Sequence, residues 1–189
     1  MERSFEAVLV EQCATTLAGV KPASLFRYQG ADKRQPREAA ARWAKELAPY
    51  GITIRVLKYC PQTGACLIYL YRAGWLRSIL SEPSTRAFLA GQGYGADQSC
   101  QELLRQLSRR LCLEREFPHE IGLFLSYPPE DAKGFIDHRA NGFKCAGLWK
   151  VYGDEEKARS LFEKYRKCTE IYCTLWQSGL KLEQLAVSV

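Results

Sequence analysis

Residues 52–72 constrain this chain more than any other stretch. Ile52 to Cys60 and Ala65 to Arg72 are both rich in β-branched residues, leucine and tyrosine, and only Pro61-Gln62-Thr63-Gly64 separates them. Two such runs joined by a short turn-forming segment predict an antiparallel hairpin. At 189 residues and 47% hydrophobic content the chain can close one sizeable core around it. The expected class is mixed α/β, a single domain over residues 1–189.

The flanking segments read mostly as helices. Ser4 is a favourable N-cap, and Phe5, Val8, Leu9, Cys13, Thr16 and Leu17 recur at helical spacing before Gly19. A short strand, Leu25 to Tyr28, precedes a helix that Pro36 opens and that ends near Ala48, where Pro49 and Gly51 follow. Ala73 to Leu89 reads as one or two short helices broken near Pro83. A longer helix spans about Gln98 to Leu113, with Cys100, Leu103, Leu104, Leu107 and Leu111 on one stripe and Arg105, Arg109 and Arg110 largely off it. In the last third the apolar run Glu120 to Tyr127 predicts a strand, Pro129 opens a short helix to about Asp137, and Phe143 to Tyr152 predicts a second strand. Asp154 then caps a long final helix. Strand, helix and strand in that order make a parallel βαβ unit with a right-handed crossover. Together with the hairpin this gives a mixed sheet covered by helices.

The apolar run Ala7 to Val10 stops at Glu11 with no basic leader before it, and no apolar stretch approaches the roughly 18 to 20 residues of a membrane span. A cytoplasmic protein without a membrane partner is expected. Its eight cysteines, at positions 13, 60, 66, 100, 112, 145, 168 and 173, are then reduced thiols. None of their spacings is C-x-x-C, so a metal site would have to be assembled across the fold. The net charge of +6, from 27 basic and 21 acidic residues, is spread along the chain. It permits attraction to acidic partners, and nucleic acid is not the expected one.

Ligands in open α/β sheets sit beyond the carboxyl ends of parallel strands, here Tyr127 to Asp131 and Tyr152 to Asp154. His119 beside Glu120 is the first candidate for acid–base work, with Asp131 at the strand end. The pair is not the start of H-E-x-x-H, because Leu123 stands at the fourth position on. Cys145, Cys168 and Cys173, joined by Cys13, are candidate metal ligands or redox thiols. Core packing is the competing reading for Cys145 and Cys168, which share faces with apolar residues. Cys173 lies about 140° round the final helix from Cys168 and is the exposed one of the three. Cys60 and Cys66 face each other only if the hairpin turn has five residues rather than four. Gly91, Gly93 and Ala96 match a dinucleotide-binding pattern but lack the strand it requires before them. Tyr69, Tyr71 and Arg72 suit base stacking, or simply core and rim. Arg105, Arg109 and Arg110 form a basic helix face suited to docking an acidic partner.

Three stretches resemble the family catalogued as domain of unknown function 3793. They are Cys13 to Lys21, reading CATTLAGVK, with Leu25-Phe26; Phe117 to Asp131, reading FPHEIGLFLSYPPED, with Gly134-Phe135; and Cys145 to Cys173, containing WKVYGD and FEKYRKCTEIYC. The resemblance covers nearly the whole chain. Two positions depart from the family pattern: Gln12, where histidine is expected before the cysteine, and Ser126, where glycine is expected. The first departure weakens a metal-binding His-Cys pair on the first helix. What the resemblance implies is a setting in anaerobic bacteria near flavodoxin or iron-uptake genes, which favours redox or metal metabolism. Two functions follow as expectations. One is a redox- or metal-linked accessory protein using some of Cys13, His119, Cys145, Cys168 and Cys173, its cofactor a metal ion or the thiols themselves. The other is a binding or adaptor domain whose basic helix docks an acidic, flavodoxin-like protein.

Overall fold

Three strands, β1 (Ala23–Tyr28), β2 (Ile52–Tyr59) and β3 (Cys66–Arg72), form an antiparallel sheet in the order β1-β3-β2. The computed structural model describes residues 3–189. The expected hairpin is β2–β3, and its turn has four residues. The Cys60 N–H donates to Ala65 O at 2.9 Å, so Cys60 lies opposite Ala65 while Cys66 pairs with Tyr59. Among the described residues both thiols are free. A bulge between Val56 and Lys58 lets Leu57 be buried as well.

The chain packs as two units, one comprising the chain up to Ala73 with Tyr165–Val189, the other Gly74–Lys164. In the first unit, period-two alternation puts Cys66, Ile68 and Leu70 on one face of the sheet, beside Phe26 and Tyr28 of β1 and Ile52 and Ile54 of β2. Two helices share that core. α1 (Phe5–Leu17) adds Phe5, Leu9, Cys13 and Leu17, and α2 (Gln35–Leu47) adds Ala40, Trp43 and Leu47. Ser4 caps α1 as expected, its hydroxyl accepting the Ala7 N–H. Because α2 joins β1 to β2 and both run antiparallel to β3 between them, the first unit contains a split βαβ arrangement.

Arg72, at the end of β3 and 2% exposed, ties these parts together. Its guanidinium donates to Thr16 O and Leu17 O at the end of α1, to Tyr50 O and to Val187 O, at 2.7 to 3.1 Å. Carbonyls at a helix C-terminus have no partner within the helix, and a cation there also answers the dipole.

The second unit is mostly helical: α3 (Ala73–Ser81), whose first residue closes the first unit, α4 (Pro83–Gly91), α5 (Cys100–Leu113), α6 (Ile121–Phe124) and α7 (Pro129–Asp137). The strands β4 (Cys145–Ala146) and β5 (Lys150–Val151) pair antiparallel. α8 (Glu155–Gln177) begins in this unit and ends in the first. No helix among the described residues is long and apolar enough to cross a membrane.

The parallel βαβ unit expected near the C-terminus is not formed. Ile121, Gly122, Leu123 and Phe124 are all buried, and a short run that is apolar on every side fits a buried helical turn as well as a strand. The end of α6 decides for the helix. Tyr127 N–H bonds Gly122 O and Ser126 N–H bonds Leu123 O, with Ser126 left-handed at φ 62°. This is the Schellman pattern that usually places glycine where Ser126 stands. Pro128 and Pro129 then offer no N–H to a ladder. Deprived of a parallel partner, the segment 143–152 folds back on itself as β4–β5. The mixed α/β class holds, with every recorded strand pairing antiparallel.

Candidate functional site

α5 is set in place by a capping box. Ser99 Oγ accepts the Glu102 N–H, and the Glu102 carboxylate accepts the Ser99 hydroxyl and the Ser99 N–H, each at 2.7 Å; these bonds, the hydroxyl's first, hold that carboxyl below its usual range. Leu103, Leu104, Leu107 and Leu111 are buried, as the stripe predicted. Glu102, Arg105, Gln106, Arg109 and Leu113 recur three or four residues apart and so form the outward face.

A wall rises beside that face from the connection following α4. Gln106 Nε2 donates to Gly93 O at 2.9 Å and Arg110 Nη1 to Gln92 O at 2.9 Å, while Gln98 Nε2 donates to Gln106 Oε1 at 3.0 Å. Floor and wall enclose an open groove of about 700 Å³ containing all three basic residues singled out from the sequence.

Those three arginines are not equivalent. Arg110 is held from below: its Nη1 lies 2.6 Å from Oε1 of Glu120, which is 1% exposed, and its Nε donates to Glu114 at 2.9 Å. The same Glu120 oxygen accepts the Tyr94 hydroxyl at 2.9 Å, and the guanidinium carbon of Arg110 lies 5.5 Å from the Tyr94 ring centroid. Burial, reinforced by the carboxylate, pushes the Tyr94 phenol far up, so it remains a donor. Arg105 and Arg109 are exposed, and among the described residues neither has an ion pair. The groove therefore offers two exposed cations, Arg105 near the Glu102 carboxylate and Arg109, beside one fixed, neutralised anchor.

The acid–base candidates are dispersed by their partners. The exposed His119 packs its ring against Phe117 and Phe135, at 5.8 and 4.8 Å between centroids, whereas Glu120 turns inward to Arg110 and Tyr94. Asp131 is buried and accepts three bonds, from Trp149 Nε1 and the N–H groups of Tyr152 and Gly153, at 2.7 to 2.8 Å. The two loops expected to frame a ligand do meet, but through Asp131, which closes them onto each other. Among the described residues no strands pair in parallel, so the geometric argument for a site there no longer applies.

Among the described residues no three histidine, cysteine, aspartate or glutamate side chains are grouped to hold a metal ion. Cys13 and Cys145 are buried, and Cys168 and Cys173 half-buried on α8. Burial pushes the Cys13 thiol far up and raises Cys173 as well, which withholds the reactive thiolate. Cys173 is thus less exposed than its helical position suggested. The sequence reading missed the roles of Tyr94, Gln92 and Gln106. No local signal marks them, since each acts through a residue 13 to 26 positions away.

A family model described as "Protein of unknown function (DUF3793)" matches residues 9–186. No curated protein and no solved structure matches the chain.

Proposed function

Because the chain belongs to the DUF3793 family, whose description supplies no activity, we propose its role from geometry: a binding or adaptor domain that docks an acidic protein segment in the α5 groove. One observation carries this reading, the groove of about 700 Å³ in which, among the described residues, Arg105 and Arg109 have no ion pair while Arg110 is locked by Glu120. An acidic segment supplies carboxylates that can pair directly with Arg105 and Arg109, and the amides of Gln92, Gln98 and Gln106 supply neutral hydrogen-bonding edges around them. A flavodoxin-like protein is the partner that the family resemblance suggests. The redox or metal-linked reading, through Cys13, Cys145, Cys168 and Cys173, draws less support from the geometry, because burial keeps Cys13 and Cys173 protonated.

The test is calorimetric titration with a purified flavodoxin and, separately, with a glutamate-rich peptide, at low and at high salt. Arg105→Glu combined with Arg109→Glu should abolish binding, and added salt should weaken the wild type steeply. An affinity unmoved by both salt and the double reversal sinks the proposal.

A further inference from the structure

A second cluster of cations, in the first unit, has no part in the α5 groove. Lys33, Arg34 and Arg37 line a cleft of about 400 Å³ at the start of α2, with Glu38, Ala41 and Tyr59 completing it. All three cations are exposed, and among the described residues none has an ion pair. Elsewhere on the surface Arg3, Arg42, Arg159 and Arg166 each face a carboxylate.

Three separate contacts hold the cluster in place. The turn of the β2–β3 hairpin packs on Lys33 so closely that a Cβ on Gly64 would collide with the Lys33 backbone. The Asp32 carboxylate accepts the Arg34 N–H at 2.9 Å, a local turn that fixes the backbone there. The Arg37 guanidinium carbon lies 5.2 Å from the Tyr59 ring centroid, so the side chain is seated on an aromatic surface. Like charges gathered this way repel one another, and the partial positive charge of the first turn of α2 adds to that repulsion. Glu38 and Asp32 answer only part of this charge, and an added anion relieves the remainder.

We infer that this cleft binds a small phosphorylated molecule through Lys33, Arg34 and Arg37. Asp32 and Glu38 offset part of the charge of Lys33, Arg34 and Arg37, and the surplus that remains is positive, which favours an anionic phosphate group. Guanidinium groups bind phosphate through paired N–H donors, and a seated Arg37 loses little freedom on binding. A cleft of this volume suits a small molecule.

The experiment titrates pyrophosphate, and glycerol 3-phosphate, into the full chain in low-salt buffer free of phosphate and sulfate. Saturable binding is expected, weakened about tenfold by Arg37→Gln and by Lys33→Gln. Tyr59→Leu, which preserves every charge, should weaken it severalfold, and Arg105→Glu with Arg109→Glu should leave it unchanged. Circular dichroism establishes that each variant is folded, and the exposed Arg37→Gln site keeps the test open should Tyr59→Leu fail to fold. Absence of saturable binding up to about 10 mM overturns the inference. So does equal weakening by the α5 double reversal, which would reduce the effect to net charge. Retention of phosphatidylglycerol vesicles or a single-stranded oligonucleotide without pyrophosphate binding also overturns it, since the cleft would then belong to a macromolecular surface.

Discussion

Replacing Glu120 with alanine removes the acceptor that serves Tyr94 Oη at 2.9 Å and Arg110 Nη1 at 2.6 Å. Removing one partner of a fully buried ion pair costs about 3–5 kcal/mol. Arg110 is not fully buried, its side chain being 22% exposed, and it keeps Glu114 and Gln92 O. Its share therefore falls to about 2 kcal/mol. The Tyr94 hydroxyl, 3% exposed as a residue, loses its acceptor and adds about 1–2 kcal/mol. The expected loss for Glu120→Ala is about 3–4 kcal/mol, read by urea unfolding followed by circular dichroism. Tyr94→Phe leaves Glu120 its cation and should cost about 1 kcal/mol, with a coupling of similar size in the double variant. A loss below about 1 kcal/mol for Glu120→Ala at unchanged m-value, or additivity of the two substitutions, would show that Glu120 is no anchor.

Ser126→Gly should stabilise the protein by about 0.5–1 kcal/mol, because Ser126 holds a left-handed φ of 62° that glycine adopts without strain; a lowered melting temperature would contradict that. Asp131→Ala should cost about 3 kcal/mol in urea unfolding, since three donors lose one buried acceptor, and a near-neutral result would mean water replaces it. Burial lowers Lys21 from its ordinary value near 10.5 to about 8. Between those two pH values the unfolded chain binds the extra proton, so stability should rise with pH across that window by up to roughly 3 kcal/mol, with the full penalty present below it. Lys21→Met should be the more stable protein at neutral pH and lose this slope, which parallel melts of both proteins from pH 7 to about 10.5 will reveal.

Local periodicity and turn chemistry were enough to place the β2–β3 hairpin, the cap at Ser4, the leucine stripe of α5 and the three arginines opposite it. Each of these depends on residues within a few positions of one another. Ser126 was singled out in sequence as well, but not its role at a helix C-terminus in left-handed geometry. The strand assignment for 120–127 failed because an evenly apolar run has no period, so its conformation is set by what surrounds it. Glu120 shows the same division at the level of chemistry: beside His119 in sequence it suggested acid–base catalysis, yet its neighbours in space are Arg110 and Tyr94, ten and 26 residues away. The cation cleft went unread because Lys33, Arg34 and Arg37 are ordinary surface residues until Tyr59 and the Gly64 turn, from the next strands, are folded against them. Arg72 likewise becomes a clasp only when carbonyls up to 115 residues away are brought to it. Sequence determined the elements that short-range sterics and burial patterns can specify, whereas the pairing of buried charges was decided by tertiary packing, because a desolvated ion takes its role from whichever partner the fold delivers.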